Sequence, residues 1–344
     1  VTSSTPTRQR AAVTQGPDRI IVQDVERPVA GPGDALLRVE AVGICGTDLK
    51  ILSGGFPAEY PLVQGHELSA IVEVLPDGYA GNLVVGERVA VNPPVPCGHC
   101  YPCSIERWST CETMSVVGVN RPGALQERMT MPVQNLYPVG DLDPEVAAVC
   151  ETLSVGLRAV TRPSVAAGDR VLILGAGPIG LAALIACLDV GATAMVVDRA
   201  RSRREHATAL GAEVVGDDLA TVADEARRWT DGDGPSVVVD AIGLASSLEL
   251  AFEAVAVAGR ISIVGISQQT AQLGVRTFTA KELSVFGSRG TLDFASAVAL
   301  ATRQREKVAS LISHRFLLSD IRGAFDTAIT QPDEVVKCLI EVGR

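Results

Sequence analysis

From Arg170 to Gly216 the chain reads "RVLILGAGPIGLAALIACLDVGATAMVVDRARSRREHATALGAEVVG". A short apolar run meets a glycine turn. A helix-length apolar segment follows and ends at a glycine, and a second apolar run comes next. Short runs rich in Val and Ile between turn residues read as buried strands, and the longer segments between them as helices. The alternation continues through "ATVADEARRWT" (helix), "SVVVDAIG" (strand), "SLELAFEAVA" (helix), "GRISIVG" (strand) and "LSVFGS" (strand). Strands alternating with helices require crossover connections, and these are right-handed. The expectation is an α/β fold with a parallel sheet covered on both faces. The apolar window from Val171 to Val197 is broken by "GAGPIG" and carries Asp189. It therefore reads as strand, helix and strand rather than a membrane span, which needs ~20 continuous apolar residues.

Residues 20–140 differ in kind. They are rich in Val, Gly and Pro, with short runs such as "ALLRVEAVGI", "LSAIVEVL" and "ERVAVN". Turn residues punctuate these runs, as in an irregular β-rich domain. A chain of 344 residues exceeds what one core usually supports. Two domains are expected. Residues 1–149 and 288–344 form the β-rich one, and residues 150–287 form the parallel-sheet one.

The glycine turn carries the first chemical signal. Gly175, Gly177 and Gly180 form G-x-G-x-x-G, with Pro178 and Ile179 opening the helix. After a strand and before a helix, this pattern is a dinucleotide fingerprint. The helix N-terminus offers unpaired N–H groups to the pyrophosphate. Asp198 ends the next strand, where a carboxylate accepts the ribose hydroxyls of NAD and repels a 2′-phosphate. Arg199, Arg201, Arg203 and Arg204 follow, and arginines bind that phosphate. NAD is the expectation, with NADP the alternative.

The second signal is "CGHCYPCSIERWSTC", which places Cys97, Cys100, Cys103 and Cys111 at the spacing C-x2-C-x2-C-x7-C. Four close thiolates suit a closed tetrahedral zinc site that clamps a loop. An iron–sulfur run would bring a C-x3-C-P ending, which is absent. Disulfides fit poorly with a chain that shows no export signal and whose expected compartment is the cytoplasm. His99 reads as a loop residue. The formal net charge of −10 and the pI near 5.0 argue against nucleic acid as a partner, because Lys and Arg drive phosphate binding.

Three further segments are bland one by one: "GICGTDLK" with Cys45, "VQGHELSAIVEV" with His66 and Glu67, and "VCETLSVGL" with Glu151. Taken with the two motifs above, in this order, the chain resembles the zinc-dependent medium-chain dehydrogenase/reductase family. Within it, the chain is most similar to the polyol/sorbitol–threonine dehydrogenase branch. The resemblance runs from about residue 10 onward. It implies a GroES-like catalytic domain interrupted by a Rossmann domain, with the active site in the cleft between them. It also implies two zincs per chain, an alcohol or ketone as substrate, and a homodimer or homotetramer.

By the same resemblance, Cys45, His66 and Glu151 hold a catalytic zinc, with Glu67 as an alternate or additional ligand. Cys150 is the rival to Glu151. Asp48 bonds the non-ligating nitrogen of His66. Thr47 bonds the substrate oxygen and starts a proton relay. Arg203 lines the adenosine ribose, and Val264, Ile266, Ser288 and Arg289 border the dinucleotide. The activity implied is hydride transfer between a secondary alcohol (a polyol, sugar or cyclitol) and NAD(P). The alternatives are a zinc-free quinone or enoyl reductase, and a non-catalytic dinucleotide-binding protein. Two departures stand out: Lys50 replaces a proton-relaying His, and Gly290 follows Arg289 where sorbitol-type enzymes have Tyr.

Overall fold

The computed structural model describes residues 7–290 and 292–343. It divides into two compact units. One comprises residues 1–151, 294–305 and 312–344, and the other residues 152–293 and 306–311.

The second unit is built on a six-stranded parallel sheet. In spatial order its strands are Val214–Gly216, Thr193–Val197, Arg170–Leu174, Val237–Asp240, Arg260–Ile263 and Ser284–Gly287. Numbered along the chain this is 3-2-1-4-5-6, the doubly wound Rossmann order. Five of these strands coincide with strand-like runs named above, and Val214–Gly216 falls on the "VVG" that ends the first stretch quoted. Every residue of Val237–Asp240 is buried, as expected when helices cover both faces. Leu172, Leu174, Val197, Val238 and Ile261 form the core with Leu250 and Phe252. The sequence did not announce the helix Val275–Lys281, a short turn between the last two strands.

The first unit centres on a seven-stranded sheet. Its middle strand, Asp34–Gly43, pairs with Glu67–Val74 on one side and with Lys337–Glu341 on the other, both antiparallel. Ile312–Leu317 then pairs with Lys337–Glu341. A three-stranded sheet of Arg19–Glu26, Arg8–Gly16 and Leu62–Val63 accompanies it. Leu37, Val39, Val72, Val89 and Phe325 fill the core. A two-stranded ribbon, Pro94–Val95 against Ser115–Val116, closes the base of the loop that carries the four clustered cysteines.

No described helix is long and apolar enough to cross a membrane.

Candidate metal centres and dinucleotide turn

Cys45 stands immediately before the helix Gly46–Leu52. Asp48, in the first turn, reaches back so that the Cys45 N–H donates to its Oδ2 at 2.9 Å. This reciprocal cap satisfies one of the free N–H groups at a helix start and fixes the backbone that carries the thiol. His66 and Glu67 enter at the start of the strand Glu67–Val74. Glu67 sits opposite Gly43 in the antiparallel register. A Cβ at residue 43 would collide with the Glu67 carboxylate, so glycine there is what admits the side chain.

The Sγ of Cys45, a ring nitrogen of His66 and a carboxylate oxygen of Glu67 all lie within 4.8 Å of one another. Tetrahedral zinc holds such donors ~3.3–3.8 Å apart, given bond lengths near 2.0–2.3 Å. A small inward shift completes the set, so the donors fit zinc. Glu151 is not in that group, although its charge is felt at His66. Burial and the neighbouring Glu67 carboxylate push Glu151 up to about 7. Cys150 is fully buried, and its thiol faces the Val146 carbonyl of its own helix at 3.7 Å.

Asp48 Oδ1 lies 3.7 Å from His66 Nδ1, facing it but beyond hydrogen-bond range. His66 Nδ1 is buried, and no hydrogen-bond partner meets it among the described residues. Burial works against a charged imidazole, but Asp48 and Cys45 more than offset this and hold the pKa well above its ordinary value. Asp48 itself is braced from behind. Gly65 N–H donates to its Oδ1 at 3.3 Å, and Gln64 Nε2 donates to its backbone carbonyl at 2.9 Å. The Thr14 hydroxyl donates to Gln64 Oε1 at 2.5 Å. Thr47 is half-buried and Lys50 exposed on the same short helix.

Sequence reasoning missed Lys337. Its Nζ donates to Glu67 Oε1 at 2.7 Å and to the Ile44 carbonyl at 3.3 Å. Both side chains of this ion pair are only 2% exposed. Burial lowers the ammonium's pKa, but Glu67 and Cys45 overcome that and leave it raised. The available signal was a lysine inside "VVKCLIE", an otherwise apolar strand. Lysine is almost never fully buried without a partner.

The four-cysteine loop forms a second donor set, again with all atoms within 4.8 Å. Cys100 Sγ is 3.5 Å from Cys103 Sγ and 3.8 Å from Cys111 Sγ. Four thiolates at 2.3 Å from one zinc would stand ~3.8 Å apart, a spacing these two separations are close to. Backbone N–H groups of His99 and Cys100 draw the Cys97 thiol down to about 5, which favours the thiolate that a metal needs. His99 turns its Nδ1 to the Cys97 carbonyl at 2.9 Å and is exposed. None of the eight cysteines forms a disulfide.

In the parallel-sheet unit, the glycine turn follows Arg170–Leu174 and leads into the helix Pro178–Asp189. A Cβ on Gly180 would run into the Gly175 carbonyl, which accounts for the third glycine of the fingerprint. Asp198 follows Thr193–Val197, and its carboxylate accepts from the N–H groups of Ala176 and Ala200 at 2.8 and 2.9 Å. Arg203 reaches to 3.8 Å from Asp198 and approaches Gly177. Arg204 donates to the carbonyls of Asp198 and Arg199, both at 2.8 Å, so it braces the backbone. Arg199 is exposed. Val264 and Ser288 are buried, and Ile266 and Arg289 exposed, all beyond the carboxyl ends of strands. Ligands of open α/β sheets bind along that edge.

Residues 31–141 match the alcohol dehydrogenase GroES-like domain family, and residues 178–303 the zinc-binding dehydrogenase family. L-galactonate-5-dehydrogenase of Escherichia coli K12 is 31% identical over 332 residues, spanning 95% of this chain and 97% of that protein. This chain belongs to the zinc-type alcohol dehydrogenase family. The 2-dehydro-3-deoxy-L-galactonate 5-dehydrogenase of Pseudoalteromonas atlantica is 33% identical over 318 residues, covering 90% and 92% of the two chains. A crystal structure of RspB from Escherichia coli CFT073, described as an alcohol dehydrogenase complexed with NADH, superposes with a TM-score of 0.92. It is 28% identical and covers 98% of this chain and 100% of that one. As a zinc-type alcohol dehydrogenase, the chain is an NAD(P)-dependent enzyme acting on CH–OH groups.

Proposed function

We propose that this dehydrogenase oxidises a secondary alcohol of a sugar-derived chain, whether polyol, sugar, sugar acid or cyclitol, with NAD as acceptor. The observation that carries the reading is the buried triad of Cys45, His66 and Glu67, its donor atoms gathered within 4.8 Å. The two relatives above are named for chemistry at carbon 5 of galactonates, which supports a secondary hydroxyl on a polyhydroxy chain.

In this reading Cys45, His66 and Glu67 hold the catalytic zinc. Glu151 stands beside it as the carboxylate that accepts a hydrogen bond from water or substrate. The geometry favours this order over the Cys45–His66–Glu151 set suggested by resemblance. Bound zinc supplies a Lewis acid at the alcohol oxygen, and bound NAD supplies the hydride acceptor. The protein's own work is positional. Asp48 fixes the Cys45 backbone and faces the His66 ring. Lys337 holds one Glu67 oxygen. Thr47 offers a hydroxyl to take and pass the alcohol proton. Cys97, Cys100, Cys103 and Cys111 hold a second zinc that shapes their loop. Asp198 selects NAD, because its carboxylate, fixed by two backbone N–H groups, stands at the end of the second strand where a ribose hydroxyl is accepted and a 2′-phosphate is not. Free thiols suit a reducing compartment, and the cytoplasm is the localisation proposed with this reading. A homodimer or homotetramer is the accompanying proposal, and light scattering checks it.

An initial-rate screen of polyols, sugars, sugar acids and cyclitols with NAD and NADP, alongside metal analysis, tests the reading. Two zincs per chain and NAD-linked oxidation of such alcohols are expected. No zinc would point to a quinone or enoyl reductase. One zinc without turnover would point to a non-catalytic binder.

A further inference from the structure

Among the half-buried arginines of the first unit, Arg27 and Arg128 pair with Glu73, and Arg88 with Glu40. Arg121 is half-buried too, yet no hydrogen bond or ion pair engages its guanidinium among the described residues. It lines a cavity of about 630 Å³. Pro61, Leu62 and Val119 supply apolar wall, and Asn120 and Glu59 are the other polar side chains. The Asn120 carbonyl accepts from Val116 N–H at 2.6 Å, which leaves its amide N–H pair as a second donor.

The segments that line the cavity are tied to those that carry the metal donors. Gly123, Ala124 and Leu125 donate backbone hydrogen bonds to the carbonyls of Val63, Gly65 and Gln64 at 2.7–2.9 Å, directly before His66. On the other side, Val119 and Leu62 share an apolar cluster with Ile51 of the Cys45 helix. The Tyr60 hydroxyl donates to the Ile51 carbonyl at 2.6 Å. The turn bearing Arg121 is itself fixed, with Gly118 N–H donating to the Arg121 carbonyl at 2.9 Å. A guanidinium fork of donors, carried on a hydrogen-bonded turn beside apolar wall, is suited to an oxyanion. In a chain of net charge −10, an anionic substrate needs such a local cation. Glu59 is exposed, where water and salt screen its repulsion.

We propose that Arg121, assisted by the Asn120 amide, binds the anionic end of the substrate and so selects acidic sugar derivatives over neutral polyols. The inference rests on the reading that the enzyme oxidises a secondary alcohol of a sugar-derived chain. The shared chemistry is an oxyanion at the end of a polyhydroxy chain, and either a carboxylate or a phosphate supplies it.

The test measures kcat/KM of the zinc- and NAD-loaded enzyme for sugar acids, the matching neutral alditols and the matching sugar phosphates. Wild type should prefer an acidic class, and whichever of the two acids leads identifies the source. In Arg121→Ala the acid-to-alditol ratio should fall by ~10–100-fold, mostly through KM, the scale of a lost charge-assisted hydrogen bond. Arg121→Lys should fall between the two, because it keeps the charge and loses the fork. Equal activity of wild type on acids and alditols overturns the proposal while leaving the broader function intact, as does an equal loss on both classes in Arg121→Ala. If no sugar-derived alcohol is oxidised at all, the broader reading fails. Calorimetry with a sugar acid and a sugar phosphate against the NAD-loaded protein then decides Arg121 by itself. Saturable binding that Arg121→Ala loses upholds the oxyanion site, and no binding overturns it. Should the alanine variant not fold, Arg121→Lys and Arg121→Gln carry the same comparisons.

Discussion

The two donor clusters are assembled in opposite ways. The four-cysteine set comes from one loop, spans Cys97 to Cys111, and is tied at its base by a two-stranded ribbon. The other draws Cys45 from a helix start, and His66 and Glu67 from a strand start. Asp48 and Lys337 stand behind them. The local set offers four thiols of one kind and suits a closed site, whereas the dispersed set mixes thiol, imidazole and carboxylate. Closed four-thiolate zinc sites stabilise, and three-donor sites keep a position for substrate. The difference teaches that local spacing builds a clamp, while chemistry is supplied by residues distant in sequence whose environments the fold can set separately.

The largest effect that could break this contrast is expected at Cys45. Cys45→Ala should lower turnover by ~10³-fold or more, because a lost Lewis acid removes several kcal/mol of transition-state stabilisation. It should keep about one zinc per chain, and NAD binding should persist by fluorescence titration. Near-normal turnover would remove the chemical half of the comparison.

Next comes Lys337→Met, which strands a buried Glu67 carboxylate without its cation. A loss of ~3 kcal/mol in denaturant unfolding of the zinc-free protein is expected, the usual cost of breaking a buried pair. Lys337→Met combined with Glu67→Gln should recover much of it. Unchanged stability in the single variant would mean that the pair is not a constraint on the dispersed site.

A smaller effect is expected in the clamp. Cys103→Ser should reduce zinc to about one per chain and lower the melting temperature by on the order of 5 °C. The kcat of the surviving folded enzyme should change little. A variant that lost this zinc yet melted like wild type would show that the loop needs no clamp.

The smallest is Lys50→Ala. Lys50 is exposed and lies outside the donor set of Cys45, His66 and Glu67. Turnover and its pH profile should be almost unchanged. Loss of a titration step with a large fall in rate would add Lys50 to the chemistry of the dispersed site.

The same contrast explains what could be read in the sequence. Strand-sized runs such as "RVLIL" and "SVVVD" and the glycine turn are local patterns, and the parallel sheet follows from their alternation. The four cysteines were equally legible, because spacing alone brings them together. Cys45, His66, Glu67 and Glu151 became informative only as an ordered group carried by resemblance. Within that group, spacing could not tell which carboxylate lies with Cys45 and His66. That depends on the pairing of Gly43 with Glu67 across two strands. Lys337, Gln64 and Thr14 gave no motif, because their partners are set by tertiary packing. Arg121 likewise reads as a loop charge until the carboxylates that satisfy its neighbours have been assigned.

The ion pair between Glu67 and Lys337 joins residues 270 apart in the chain. That separation is also an interval of time. At ~5–20 residues per second, a ribosome delivers Lys337 roughly 10–50 s after Glu67. Through that interval the strand Asp34–Gly43 lacks its neighbour Lys337–Glu341, and Glu67 lacks its ammonium. The complete parallel sheet, all of whose strands lie between the two residues, is synthesised in the meantime. The nascent chain therefore finishes the nucleotide-binding sheet before it can finish the buried charge pair at its metal centre.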